Sequence, residues 1–375
     1  MRRRFRSSHR SRKAELSQSF PQTLYQRNES MTYRPTTYEL YGMELSPFSV
    51  KVRSYLRYKQ IPHEWIVFHT TFVREPVLQA QFKEHAKLPL IPLLITPEGE
   101  GLQDSTPILE TLEQRFPTPS IHPADRDLAF LSALIEEFGD EWGLKWMFHY
   151  RWSNPNDGTA AGRILASESW PPISAEEVEV EAENIRRRMA ERLWFVGSSD
   201  DTQAIIESSL HNAASLLDAH LQGRPYLFGA RPAFADFALW GPLYNGSLDA
   251  TAGAILRTHP NLMAWIDRML TPSSEGSFET WDQLIPTLEP FIEKQVGALL
   301  LPWVVANEKA AAAGSKECSA RLESGTWIQN VLKYNVRSLA TLRERRTRMD
   351  EHSRLDALLE RTDCLRWLDP TGAAR

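Results

Sequence analysis

The stretch from Tyr38 to Leu56 restricts the possible folds more than any other part of the chain. Tyr38-Glu39-Leu40-Tyr41-Gly42 alternates aromatic and apolar residues with polar ones, the pattern of a short strand. Phe48, Val52, Tyr55 and Leu56 then recur at helical spacing. Between them lies Ser46-Pro47, a hydroxyl at the N-cap and a proline at the first helical position. A strand that turns sharply into a helix aims the helix's free N–H groups, and the positive end of its dipole, into a crevice. An anion is favoured there.

The following elements alternate as well. Glu64-Trp65-Ile66-Val67-Phe68 is rich in strand formers, and Val77–Glu84 is helical. Leu88–Ile95 reads as a buried strand entered through prolines, Pro97–Gly101 as a turn, and Gly101–Asp104 as a brief strand across it. Ser105-Thr106-Pro107 opens a helix with Ile108, Leu109, Leu112 and Phe116 on one face and a stop at Pro117. The order β-α-β-α-β-β-α predicts an α+β domain over residues 36–120, a mixed four-stranded sheet covered by helices. Beyond Pro123 strand signals stop. Leu128–Trp146, Ala175–Leu193, Ala204–Leu221, Phe234–Leu243 and Leu262–Leu270 carry helical patterns, with Asn154–Gly158 as a turn, which predicts an all-α domain over residues 124–300. Residues 301–375 are expected to be a helical extension: a helix into Ala310–Ala313, a break at Gly314-Ser315, and a second helix over Trp327–Met349.

Composition excludes several classes. Only Cys318 and Cys364 are present, too few for a disulfide framework and consistent with a reducing compartment. No apolar run reaches the ~18–20 residues needed to cross a bilayer, so a soluble protein without a membrane partner is expected. Residues 1–30 carry eight basic and two acidic residues, a net of +6, which leaves 35 basic and 46 acidic residues, a net of −11, for 31–375. The first 35 residues are therefore expected to be a disordered basic extension, a transit peptide and a nucleic-acid-binding arm being the alternatives. The acidic remainder argues against nucleic acid as the main partner. Cytoplasmic placement follows, with organellar targeting as the weaker alternative. The histidines show no ligand spacing, so no metal site is expected.

Several separated features, taken together, resemble the cytosolic glutathione transferase family over roughly residues 36–270. Leu40-Tyr41-Gly42, then Ser46-Pro47-Phe48-Ser49, Val52-Arg53 and Leu56 look like the first strand and helix of its serine-type classes. Ile91-Pro92 is similar to the family's cis-proline, and Gln103-Asp104-Ser105 to its acid–serine signature. Gly229–Asp236 is similar to its helical-domain capping motif, except that Ala233 stands where the family has Ser or Thr, so the reciprocal hydroxyl bond is missing.

The resemblance implies a thioredoxin-like domain that holds glutathione, followed by a helical domain that shapes a pocket for a hydrophobic electrophile. Ser46 would donate to the glutathione sulfur while the helix N-terminus favours the thiolate, the nucleophilic form. Ile91, before Pro92, would pair with the cysteinyl backbone. Ser105 would bind the γ-glutamyl carboxylate, Asp104 the γ-glutamyl ammonium, and Lys87 the glycyl carboxylate. Tyr41, Trp142 and Trp146 are candidates for the electrophile pocket, with packing in the sheet or core as the alternative for each. A homodimer is an arrangement the resemblance allows. Ser49 falls three residues after Ser46, but two serines exclude dithiol redox chemistry, and a serine at 46 disfavours thiol transfer.

Every one of these residues also has a purely structural explanation: Ser46-Pro47 and Ser105-Thr106-Pro107 are sound helix caps in any protein. The competing readings are therefore a non-catalytic, transferase-like binding or scaffold module, favoured by the long extension, and a glutathione-dependent isomerase or dehalogenase using the same site. Glutathione binding separates the first from the enzymes.

Overall fold

The computed structural model describes residues 35–69, 73, 75–349 and 353–369, so the basic segment at residues 1–30 lies outside the described residues. Strand β1 (Tyr38–Gly42) leads into α1 (Pro47–Tyr58), and β2 (His63–Val67) into α2 (Pro76–His85). Next come β3 (Leu93–Ile95), β4 (Gly101–Gln103) and α3 (Ser105–Arg115). The sheet order is β2-β1-β3-β4. β1 runs parallel to β2, with Leu40 beside Trp65, and antiparallel to β3, with Leu40 beside Leu94. All five residues of β1 are buried, as a central strand covered on both faces requires. This is the α+β arrangement that the element order predicts and the thioredoxin-like domain that the resemblance implies.

β3 is shorter than the expected strand Leu88–Ile95. Leu88 and Leu90 are 59% and 62% exposed. The Gln103 side chain takes over their backbone bonding: Nε2 donates to the carbonyls of Leu88 and Leu90 at 2.7 Å each, and Oε1 accepts from the N–H groups of Lys87 and Leu88. A loop stapled by one amide side chain is free of the ladder that a longer strand would need.

The helical domain begins with α4 (Arg126–Phe138), a π-helical turn at Gly139–Gly143, and α5 (Leu144–Ser153). The expected turn at Asn154–Gly158 is instead the start of α6 (Pro155–Ser167), because the Asn154 side chain accepts from the N–H groups of Asn156 and Asp157 as an N-cap. α7 (Ala175–Ala190), α8 (Gln203–His220), α9 (Phe234–Leu248), α10 (Ala250–Leu256), α11 (Pro260–Arg268) and α12 (Trp281–Phe291) follow. α9 is buried along nearly its whole length. Asp236 in its first turn accepts from the N–H groups of Ala233 at 2.8 Å and Leu227 at 2.9 Å, and from Trp265 Nε1 at 2.8 Å. Three donors thus satisfy the carboxylate without the missing hydroxyl.

The extension is not wholly helical. After a second π-helical stretch (Ile292–Leu300) and α13 (Leu301–Ala312), Glu317–Leu322 (β5) and Gly325–Asn330 (β6) form an antiparallel hairpin turning at Glu323-Ser324. The expected helix Trp327–Met349 therefore starts only with α14 (Lys333–Thr347), and α15 (Ser353–Arg361) and α16 (Leu365–Leu368) complete the described chain. Cys318, Ala320, Leu322 and Trp327 face inward while Glu317, Ser319 and Arg321 face out, the two-residue period of a half-buried hairpin. No helix among the described residues is long and apolar enough to cross a membrane.

Candidate functional site

The turn carrying Ser46 is held from below by buried polar groups. Arg53 grips the Glu44 carboxylate with two nitrogens at 2.6 and 2.8 Å, and the Tyr244 hydroxyl donates to the same carboxylate at 2.6 Å. Burial alone raises the pKa of Glu44, but the Arg53 charge and these bonds outweigh it and bring the group below its usual range. Asn245 donates to the Glu44 carbonyl and Arg151 to the Leu45 carbonyl, at 3.1 Å each. The backbone of α9 comes so close that a Cβ on Gly241 would lie 2.6 Å from the Pro47 carbonyl oxygen. Only glycine admits that approach.

On this base Ser46 is half-buried at the N-cap of α1. Its Oγ accepts from the Ser49 N–H at 3.3 Å and from the Ser49 hydroxyl at 3.0 Å. Since both bonds are accepted, the Ser46 hydroxyl proton remains available for donation.

A cavity of about 420 Å³ lies beside this turn, lined by Phe48 of α1 and by Ile91, Pro92, Asp104 and Ser105. The Ile91–Pro92 peptide is cis. Ser105 begins α3, is 1% exposed, and its Oγ has no hydrogen-bond partner. A buried hydroxyl without a partner at a helix N-terminus is a costly arrangement unless something fills it. Asp104 has φ +74°, a conformation that non-glycine residues rarely adopt and that concentrates at functional sites. Four of the sequence-derived candidates therefore converge. Neither Ser46 nor Lys87 is part of the cavity lining, and Lys87 is exposed.

The proposed aromatic wall is a different matter. Tyr41 is fully buried in β1, its hydroxyl donating to Gln81 Oε1 at 3.1 Å and its ring packed against Phe68 and Phe82. Trp142 and Trp146 are core residues whose indole N–H groups both donate to Ser209 Oγ, at 3.0 and 2.6 Å. None of the three reaches the cavity. Its apolar lining includes Phe48, Leu88, Leu90, Leu144, Phe195 and Val196 and, from the extension, Trp303, Val331 and Leu332.

The cavity also holds charged groups that sequence patterns did not single out. Asp140 and Glu141 sit on the π-helical turn, where a Cβ on Gly139 would lie 2.6 Å from the backbone nitrogen of Leu239 on α9. The two glycines bounding Gly139–Gly143 were the available sequence signal for an irregular helix, a feature frequent at functional sites. Lys51 bridges Glu136 at 2.8 Å and Asp140 at 2.7 Å. Burial opposes its charge, but these two carboxylates win and push its pKa up. Burial and the Asp140 charge push Glu141 up to about 7. Lys145, one turn on, is brought down to about 7 by burial; its Nζ donates to Gln329 Oε1 at 3.0 Å and lies 3.6 Å from the centre of the Trp303 ring. Among the described residues no cluster of three or more His, Cys, Asp or Glu side chains is placed to hold a metal ion.

Comparison with known proteins now decides the lineage. A model of the glutathione S-transferase N-terminal domain matches residues 40–120, and one of the C-terminal domain matches residues 183–268. Residues 40–120 and 183–268 are thus the two domains of the glutathione S-transferase family. It is similar to a probable glutathione S-transferase of Solanum tuberosum, 24% identical over 263 residues that make up 68% of this chain and 95% of that one. A maleylpyruvate isomerase of Ralstonia sp is 35% identical over 89 residues, 24% of this chain and 41% of the isomerase. Among solved structures, a β-etherase from Sphingobium sp. strain SYK-6 is similar at 18% identity and a TM-score of 0.44, over 68% of this chain and 99% of that one. The two domain models end at residue 268 and leave the residues beyond it unmatched.

Proposed function

We propose that the protein binds glutathione in the cavity between α3 and the cis Ile91–Pro92 loop and activates its thiol for attack on an apolar electrophile. The unpartnered Ser105 hydroxyl, buried at the start of α3, is the observation that carries this reading. A γ-glutamyl carboxylate would satisfy it and the adjoining free N–H groups together. Asp104 takes the γ-glutamyl ammonium, the Ile91 backbone pairs with the cysteinyl unit, and Lys87 or Lys333, which lines the cavity, takes the glycyl carboxylate. Ser46 donates its free hydroxyl proton to the sulfur at the positive end of α1. Lowering the thiol pKa by ~1–2 units raises the thiolate fraction at neutral pH about tenfold or more. The electrophile then lies against Phe48, Leu144, Phe195 and Trp303.

Titration calorimetry of the full chain tests this. Wild type is expected to bind glutathione, Ser105→Ala about tenfold more weakly, a loss of ~1.4 kcal/mol. Ser46→Ala is expected to bind but not to lower the thiol pKa. Absence of glutathione binding by wild type sinks the enzyme reading and leaves the scaffold one. The similarity to a maleylpyruvate isomerase over 89 residues favours isomerisation as a second reading, in which the same activated thiolate adds reversibly to a conjugated acid instead of forming a stable conjugate.

A further inference from the structure

Residues 331–335, the link after β6 and the first turn of α14, lie well past the two family domains, yet all five line the cavity that holds Asp104 and Ser105. Two anchors fix the segment. The buried Asn307 side chain donates to the Leu332 carbonyl and accepts from the Leu332 N–H, both at 2.8 Å. Asn335, also buried, donates through Nδ2 to Glu141 Oε2 on the π-helical turn. Between these anchors the Tyr334 hydroxyl donates to Asp104 Oδ2 at 3.0 Å.

We propose that Tyr334 is a positioning residue of the glutathione site: it orients the Asp104 carboxylate for the γ-glutamyl ammonium, so that the C-terminal extension supplies part of the substrate site. The inference rests on the glutathione reading above. A carboxylate has about four acceptor positions, so one phenol donor leaves Oδ1 and part of Oδ2 open to an ammonium group. Asp104 stands on a backbone with φ +74°, and Tyr334 is the hydrogen-bond partner that fixes its carboxylate from across the cavity. Desolvation and then the Asp104, Glu141 and Asp140 carboxylates push the phenol pKa up, so the hydroxyl remains a donor throughout the neutral range. Holding an acceptor in its bound geometry removes an ordering cost from binding.

The test is a binding cycle on the full chain, using glutathione and its deamino analogue, in which a glutaryl group replaces γ-glutamyl and the ammonium is absent. Tyr334 is 46% exposed, and Tyr334→Phe keeps the ring while removing only the hydroxyl. Glutathione should bind Tyr334→Phe about fivefold more weakly than wild type, the net scale of one ordinary hydrogen bond. The deamino analogue should bind both alike, and in an Asp104→Asn background the Tyr334→Phe effect on glutathione should vanish. Equal weakening of both ligands makes Tyr334 merely structural and overturns the proposal; so does tighter glutathione binding, which makes the hydroxyl a competitor. A wild type that binds glutathione in a Ser105-dependent way, with no Tyr334 effect, overturns this inference alone. If wild type binds neither ligand, the glutathione reading falls with it.

Discussion

Residues 38–115 and residues 317–368 reach order by opposite routes. In the first region two of the three helices carry their own start: Ser46 and Pro47 for α1, Glu75 and Pro76 for α2. In the second, β5 and β6 acquire their place from what lies beneath them. Trp327 is fully buried, its ring 5.0 Å from that of Trp142, and Lys145 lies 5.0 Å from its centre. The Gln329 amide then ties the hairpin to the Phe195 carbonyl at 2.8 Å. Local signals specify the one, and long-range packing of tryptophans on the helical domain specifies the other. An appended segment can thus be as deeply built into a cavity as the domain that defines the family.

If packing rather than local propensity holds the extension, Trp327→Ala should be the most damaging single change. It opens a large void, strands the Lys145 side chain without one of its aromatic faces, and should cost about 3–5 kcal/mol. Denaturant unfolding followed by tryptophan fluorescence measures it. A loss below about 1 kcal/mol would show that the hairpin rests loosely on the domain and does not owe its order to long-range packing.

The same contrast explains which features were legible in the sequence. Caps and alternation are properties of a few neighbouring residues, so β1, α1, β2, α2 and α3 were all apparent, and with them Ser46, Ile91, Pro92, Asp104 and Ser105. The hairpin carried a signal too: Cys318, Ala320 and Leu322 alternate with Glu317, Ser319 and Arg321 ahead of Ser324-Gly325. It was masked because Ile328, Val331 and Leu332 also fit a helical spacing continuing into α14. Trp142 and Trp146 were misplaced for a different reason. Periodicity says that a helix face is apolar, not whether it meets a core or a cavity. Residues 331–335 and Lys145 had no local signature, since their roles arise from contacts spanning most of the chain.

A second, smaller effect should appear with pH. Beside its arginine ion pairs, the extension meets three half-buried carboxylates through uncharged donors: Asn335 on Glu141, Ser338 on Glu137, and Tyr334 on Asp104. Glu141 is also faced by Asp140, Glu136 and Lys145. Its folded pKa of about 7 exceeds the ordinary 4.5, so folding holds a proton that the unfolded chain releases. Stability from this group is full below pH 4.5 and is lost as pH rises through about 7. Relaxation of the site reduces the ideal value, leaving an effect on the order of 2 kcal/mol between acid and neutral conditions. Glu141→Gln should remove that slope, measured as denaturant midpoints on either side of neutrality. An unchanged slope would place the pH dependence elsewhere and remove the electrostatic distinction between the two regions.

The smallest expected effect bears on the turn at Ser46, where a cap and a sulfur donor would be the same atom. Ser46→Ala removes an N-cap and should cost about 1 kcal/mol, whereas Ser46→Gly should cost only a few tenths, because glycine serves tolerably at that position. Both variants lack the hydroxyl, so both should leave the bound glutathione thiol near its free pKa, read from the thiolate's ultraviolet absorbance against pH. Stability should therefore separate the two variants while thiol activation does not. Were Ser46→Gly to retain a lowered thiol pKa, the helix N-terminus alone would be activating the sulfur. Ser46 would then be a capping residue, and the most legible turn in the sequence would owe its clarity to folding instead of chemistry.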